Sequence, residues 1–267
     1  MPRAVWLSDL HLDCVSPDAA LACWDAVAQQ AADWVLIGGD VGQAENVVPL
    51  LRQVAAVLDL PVAFVLGNHD YYRGSIDSVR AEVREACRHE PRLRYLSDSP
   101  PISLSERVAL VGHDGWGDAR AGDYATSEVL LLNDYFLIEE LARISREERR
   151  LRLNALGDEA AAHARRVLPQ ALATHEEAIF LTHVPPFREA CWHEGQLSDD
   201  NWAPHFCCLA LGAALREVMG SFPHRQLTVL CGHTHGRGEA EILPNLKVLT
   251  AGAEYGQPGI ERVFDWD

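Results

Sequence analysis

The chain has 267 residues, of which 48% are hydrophobic and 23% are charged, a balance that excludes a disordered or fibrous protein and suits one globular domain. Its formal net charge of −16 makes long DNA or RNA a poor partner, because an acidic surface repels polyanions. Seven cysteines occur without a Cys-x-x-Cys pair, and no apolar stretch has the length of a membrane span, so we expect a cytoplasmic protein without a membrane partner.

The first third of the chain alternates short apolar runs with helical patterns. Strands are predicted at 4–7, 34–37 and 62–66, and helices at 18–32, 45–58 and 75–89. This alternation is typical of βαβ units and a largely parallel sheet. Each of the three strands ends in polar residues. Since ligand sites in such sheets lie at the carboxyl ends of the strands, we expect these polar residues to meet at one edge.

The remainder of the chain contains further strands and one long helical stretch. Strands are predicted at 108–111, 179–182 and 228–231, short closing strands of antiparallel character at 247–250 and 262–264, and a helix at 205–219. The stretch 126–174 is strand-poor, and we interpret it as two or three helices inserted into a single domain spanning 1–267. It either caps the functional cleft or packs away from it as a dimer surface, which leaves a homo-oligomer open.

Five polar clusters follow predicted strands, and together they offer metal ligands. The candidate ligands are carboxylates, an amide oxygen and imidazoles: Asp9, His11, Asp40, Asn68, His183, His233 and His235. This mixed nitrogen and oxygen set suits manganese, iron or zinc better than calcium. Asp9-x-His11 or Gly39-Asp40 alone is better explained as turn or capping chemistry, whereas Gly67-Asn68-His69-Asp70 and Gly232-His233-Thr234-His235 are stronger signals. Five such clusters in this order are hard to ascribe to chance.

The series of motifs resembles the calcineurin-like metallophosphoesterase superfamily. The motifs are Asp9-x-His11, Gly39-Asp40, Gly67-Asn68-His69-Asp70, Thr182-His183 and Gly232-His233-Thr234-His235. The resemblance implies an α/β fold of four layers, a four-layer sandwich in which two mixed β-sheets pack face to face and are flanked by helices. It also implies two divalent metal ions (Mn, Fe or Zn).

The resemblance distributes the ligands over two metal sites. One ion would be held by Asp9, His11, Asp40 and His235, and the other by Asp40, Asn68, His183 and His233, so that Asp40 bridges the pair. His69 would contact the substrate, and Asp70 would orient His69. Two such cations can stabilise the attacking and leaving oxygens of an in-line displacement.

Departures from the protein phosphatase pattern point to another branch of the superfamily. Asp40 is followed by Val41-Gly42-Gln43 without an arginine, and Asp70 stands where protein serine/threonine phosphatases carry glutamate. The opening Ser8-Asp9-Leu10-His11 resembles the phosphodiesterase-like and small-phosphatase branches. We therefore expect a hydrolase acting on small phosphate monoesters or diesters.

Four further residues are candidates for substrate binding. His113 and Trp116 follow a predicted strand, where a tight turn and a role in the pocket wall are both consistent with the sequence. Trp192 and His193 follow the His183 loop and either return over the metals or take part in ordinary loop packing.

Two other functions are consistent with the same fold. A non-catalytic scaffold would be expected to lack ligands or the substrate histidine, whereas this chain has all of them. A metal-dependent nuclease would need to tolerate the acidic balance, which restricts it to short oligonucleotides.

Overall fold

The computed structural model describes residues 1–266, and its elements alternate through most of the chain. The first half contains β1 (Arg3–Leu7), α1 (Pro17–Ala28), β2 (Trp34–Ile37), α2 (Val47–Leu58), β3 (Val62–Phe64), α3 (Ile76–His89), β4 (Leu93–Tyr95), β5 (Ile102–Ser103) and β6 (Val108–Gly112). The second half contains α4 (Asp134–Leu137), α5 (Arg146–Thr174), β7 (Glu177–Leu181), β8 (Trp192–His193), β9 (Gln196–Leu197), α6 (Ala203–Phe206), α7 (Leu209–Ser221), β10 (Gln226–Cys231), β11 (Gly238–Leu243), β12 (Leu246–Thr250) and β13 (Arg262–Asp265).

Two large mixed sheets form the centre of the fold. The first has the order β13-β1-β2-β3-β4, in which only β13 runs antiparallel to its neighbour. The second has the order β11-β12-β10-β7-β6-β5, with antiparallel pairs at its two edges. In each sheet the parallel strands stand together, so their carboxyl ends share an edge.

The two sheets pack face to face through alternating side chains. In β1, Ala4 and Trp6 belong to the core between the sheets, whereas Val5 and Leu7 pack towards the helices on the other face. Successive side chains of a strand point to opposite faces of the sheet, so they alternate between the two cores. The helices α1, α2 and α3 cover the first sheet, and α5 and α7 cover the second. The expected four-layer α/β fold is confirmed.

Several element boundaries differ from the sequence predictions. The first helix ends at Ala28 instead of reaching residue 32, and the helix predicted at 205–219 divides into α6 and α7. The division follows from the extended backbone of Cys207, whose carbonyl oxygen accepts a hydrogen bond from the backbone of Asp118. The strand β12 was expected to be antiparallel, but it is parallel to β10 and antiparallel only to β11, which was not predicted.

The helical stretch 126–174 has two parts with different positions. Helix α5 connects β6 to the parallel strand β7 and packs on the second sheet beside α7, so it is the crossover connection of a βαβ unit. The preceding part is helical only over α4. What lies outside the regular alternation is therefore the connection between β6 and α5, residues 113–145.

No helix within residues 1–266 is long and apolar enough to cross a membrane.

Candidate metal centre

The proposed ligands lie on loops that follow the strands at the shared edge. Asp9 and His11 follow β1, and Asp40 follows β2. The two loops are joined by backbone hydrogen bonds, from Asp9 N to Gly39 O at 3.1 Å and from His11 N to Asp40 O at 2.8 Å. Adjacent parallel strands therefore bring both carboxylates to one place.

Four of the side chains form a compact cluster of donor atoms, which we call the first cluster: Asp9, His11, Asp40 and His235. One ligand atom from each lies within 4.8 Å of the others. The Nε2 atoms of His11 and His235 are 3.3 Å apart, and Asp9 Oδ1 lies 3.5 Å from His235 Nε2. Asp40 Oδ2 lies 3.7 Å from His11 Nε2.

The other three side chains join Asp40 in a second cluster, defined by Asp40, Asn68, His183 and His233. Asn68 Oδ1 lies 3.1 Å from His183 Nε2 and 3.0 Å from His233 Nδ1. Asp40 Oδ2 lies 3.5 Å from His183 Nε2. The structure thus brings all seven predicted ligands together, with Asp40 common to both clusters.

The hydrogen bonds of the second cluster show that its inner atoms are all acceptors. His183 Nδ1 donates to the carbonyl oxygen of Gly38 at 2.8 Å, and His233 Nε2 donates to that of His205 at 3.3 Å. In the neutral rings the lone pairs of His183 Nε2 and His233 Nδ1 therefore point at the oxygen of Asn68. Lone pairs facing lone pairs repel one another unless a cation lies between them, so these residues fit a metal ion.

The charge and burial of the side chains in the first cluster also favour a cation. Burial, together with the charge of Asp9, raises the pKa of the Asp40 carboxyl. Burial lowers the pKa of His11 to about 3, which keeps this imidazole in the neutral form that coordinates metals. The carboxylate of Asp9 raises the pKa of His235. A bound cation would relieve the repulsion between the two buried carboxylates.

The backbone at the site is strained in the way functional sites often are. Five of the proposed ligands have left-handed backbone angles: Asp9, His11, Asp40, His233 and His235, with φ between 42° and 70°. Each such residue costs on the order of 1 kcal/mol, and contacts elsewhere must offset that cost. The sequence carries no signal of this strain, because none of the five is glycine.

His69 and Asp70 lie on the loop that carries Asn68, but they do not interact as expected. The carboxylate of Asp70 is fully buried and accepts hydrogen bonds from the backbone N–H groups of Val41, Gly42 and Gly67, at 2.8 to 2.9 Å. Asp70 therefore ties the ends of β2 and β3 together, and none of these bonds reaches His69. The ring of His69 instead packs against those of His11, Tyr72 and Tyr255, and burial lowers its pKa to about 4.

A cleft of ≈ 320 Å³ opens over the donor atoms. Its floor includes Asp40, Asn68, His69, His233 and His235, and its walls include Tyr72, Leu131, Leu132, Phe206 and Tyr255. Among the described residues that line it there is no lysine or arginine.

Of the four candidate substrate residues, only His193 lines this cleft. Its ring packs against Trp202 and Phe206. Trp192 lies behind it, in close contact with Gly238. His113 and Trp116 are buried outside the cleft: His113 packs against His163 on α5, and Trp116 packs against Tyr71 in the core beneath α3. Their positions after strands or loops near the site therefore did not predict which residues line the cleft.

Other cleft residues were not identified from the sequence. Asp134 is one of them, and its carboxylate accepts hydrogen bonds from the amide of Asn68 and the hydroxyl of Tyr72. Tyr255 and His205 were also missed. No sequence signal links these positions, because they are separated by tens of residues and stand in one-turn helices or loops.

The profile of the family described as calcineurin-like phosphoesterase matches residues 2–237. The chain belongs to this family, as its motifs predicted. Membership supports metal-dependent hydrolysis of phosphoesters, and the first cluster supports a divalent metal centre.

Solved structures with a similar fold are found, whereas a search of curated proteins gives no match. The phosphopantetheinyl hydrolase PptH of Mycobacterium tuberculosis is 14% identical, with a TM-score of 0.66 over 97% of this chain and 95% of that one. A dimetal phosphatase from Danio rerio is 15% identical, with a TM-score of 0.57 over 94% of this chain and 87% of that one. At these identities the likeness shows the fold alone.

Proposed function

We propose that the protein hydrolyses a small phosphoester at two divalent metal ions, one bound by the first cluster and one by the second. The observation that carries the proposal is the convergence of acceptor atoms at Asn68, His183 and His233, a donor set that suits a bound cation. When bound, such cations supply positive charge that attracts the phosphate and stabilises its transition state.

The side chains around the clusters have separate tasks in this proposal. Asp40 belongs to both clusters, so it would be a ligand of both ions. His69 faces the cleft from the edge of the first cluster, and its neutral ring can donate a hydrogen bond to a phosphate or leaving-group oxygen. Tyr72, Phe206 and Tyr255 form aromatic walls beside the donor atoms.

The lining of the cleft favours diesters over monoesters. A monoester carries two negative charges, and no lysine or arginine among the described lining residues complements the second one. A diester carries one negative charge and two organic groups, for which Leu131, Leu132 and Phe206 offer apolar contact. The function best supported is therefore that of a phosphodiesterase acting on small substrates with uncharged organic groups.

Two substrates with the same leaving group test this preference. Enzyme reconstituted with Mn²⁺ should show a higher kcat/KM for phenyl 4-nitrophenyl phosphate than for 4-nitrophenyl phosphate, and exhaustive chelation should abolish both activities. Full activity in metal-free protein would overturn the proposed mechanism. A higher kcat/KM for the monoester would retain the metal centre but overturn the diester assignment.

A further inference from the structure

The amide of Asn68 can serve as a metal ligand only in one of its two orientations. Its oxygen end is a ligand and its NH₂ end is not. The end that faces His183 and His233 is therefore decided by what the other end contacts. In the structure Nδ2 lies 2.9 Å from Asp134 Oδ1 and 3.1 Å from the hydroxyl of Tyr72.

These two contacts select the orientation by the direction of their hydrogen bonds. The carboxylate of Asp134 only accepts, and it receives the hydroxyl proton of Tyr72 at 2.7 Å. The oxygen of Tyr72 is then left as an acceptor for Asn68. Both partners of Nδ2 are acceptors, so rotating the amide would place its oxygen against the carboxylate of Asp134. The rotated NH₂ group could donate to the lone pairs of His183 and His233, so it is the contact with Asp134 that keeps the oxygen end of Asn68 towards these imidazoles.

Asp134 is held in place by the connection between β6 and α5. It is 8% exposed and begins α4. The next residue, Tyr135, hydrogen-bonds through its hydroxyl to His205 Nδ1, and the carbonyl oxygen of His205 accepts from His233 Nε2. The same segment thus supports Asn68 and His233, and the carbonyl oxygen of its Asp114 accepts a hydrogen bond from the backbone N–H of His183 at 2.9 Å. Its hydrogen bonds to described residues reach three members of the second cluster and none of the first.

We propose that Asp134 is a positioning residue for the second metal ion: through Asn68 it sets the affinity of the second cluster while leaving that of the first cluster unchanged. The inference rests on the proposed function, in which these clusters bind metal. Residues that support a ligand in this way typically change metal affinity by about 10- to 100-fold when they are replaced.

The first test compares substitutions that keep or remove the acceptor. Asp134→Leu has a similar volume without an acceptor, whereas Asp134→Asn retains a carbonyl oxygen. By Mn²⁺ titration calorimetry, Asp134→Leu should bind the first ion as the wild type does and the second about 10- to 100-fold more weakly. Its electron paramagnetic resonance spectrum should show isolated instead of coupled Mn²⁺. Asp134→Asn should recover most of the affinity.

A matched control separates positioning from general loss of structure. Asp118 is another buried carboxylate of the same connection, and it accepts a hydrogen bond from the backbone of Ala210. Asp118→Asn should lower the melting temperature but leave both metal affinities unchanged. Equal weakening of both metal sites in Asp134→Leu, or unchanged binding of both ions, would overturn the proposal.

Exchanging the amide and the carboxylate between positions 68 and 134 tests this pair of side chains, and it does not require Asp134→Leu to fold. Asn68→Asp places two carboxylates side by side and should weaken the second site. Combining it with Asp134→Asn restores one donor and one acceptor, so the double variant should bind the second ion more tightly than Asn68→Asp alone. Failure of this rescue would overturn the role of Asp134, whereas a wild-type protein that binds no metal would overturn the proposed function itself.

Discussion

Asp40 is the residue common to the first and second clusters. Its Oδ2 atom lies 3.7 Å from His11 Nε2 in the first cluster and 3.5 Å from His183 Nε2 in the second. We predict that Asp40→Ala lowers metal occupancy at both sites, whereas Asp9→Ala empties mainly one, because Asp9 belongs to the first cluster alone. Elemental analysis of the two purified variants checks this. Two full metal equivalents in Asp40→Ala would contradict the shared role.

His69 contacts the cleft without being among the convergent donor atoms, so catalysis and metal binding should separate at this residue. We predict that His69→Asn retains both metals and loses turnover by roughly 10²- to 10⁴-fold, the range for a positioned acid. The loss should be larger for an alkyl leaving group than for 4-nitrophenolate, which needs less assistance. Steady-state kinetics on a matched pair of diesters measures this difference. Equal losses on both substrates would argue against a role at the leaving oxygen.

The sequence predicted the seven convergent residues but not the residues that support them. Metal ligands of this kind follow strands and stand in short motifs, so chain order and spacing reveal them. Asp134 and His205 stand in the short helices α4 and α6, and their importance comes from contacts to Asn68 and His233 far away in the chain. For Asp70, the resemblance implied an orienting contact to His69, whereas in the structure its carboxylate accepts hydrogen bonds from backbone N–H groups.

At the scale of elements, the site depends on how closely the ends of β2 and β3 approach each other. Gly67 follows β3, and a Cβ atom there would lie 2.1 Å from Asp40 Oδ1 and 2.7 Å from His183 Cε1. We predict that Gly67→Ala weakens metal binding at both clusters and destabilises the fold by about 1–3 kcal/mol, the usual cost of overpacking.

Gly220 provides the control for this substitution. It lies near the end of α7 with no atom within 4 Å of a Cβ built there. Gly220→Ala should leave metal binding unchanged and keep or slightly raise the melting temperature, because alanine favours the helix. Thermal unfolding and metal titration of both variants compare the two positions. Wild-type metal affinity in Gly67→Ala would show that the loops separate without disturbing the ligands.

The elements themselves were predictable where hydrophobic periodicity was strong, but their connections were not. Strands β1, β2 and β7 are short apolar runs, and each was identified near its observed position. The pattern of α5 gave its helical character, but not its place as the crossover between β6 and β7. Periodicity describes one face of one helix and holds no information about which strands that helix connects. The interpretation of 126–174 as an insertion therefore included a helix of the core.

At the scale of the whole molecule, two electrostatic effects oppose each other. The formal net charge of −16 repels anions at long range. Bound divalent ions would attract a single phosphate at short range, where the cleft provides no other positive side chain among its described lining residues. Salt screens the long-range repulsion, since the Debye length falls from about 30 Å at 0.01 M to about 8 Å at 0.15 M.

Because the repulsion is long-range and the attraction short-range, salt should affect a small diester and an oligonucleotide differently. A small diester places its one charge at the metals, so its kcat/KM should change little with NaCl. A single-stranded oligonucleotide extends many phosphates over the acidic surface, so its kcat/KM should be lower than that of the small diester in dilute buffer and should rise as salt is added. Measuring both substrates with saturating Mn²⁺ keeps metal occupancy constant across the series. A nuclease would behave in the opposite way, because contacts between phosphates and basic side chains weaken as salt increases. A kcat/KM for the oligonucleotide that falls with added salt would therefore favour nucleic acid as the substrate, whereas a rise would assign this metal centre to small phosphoesters.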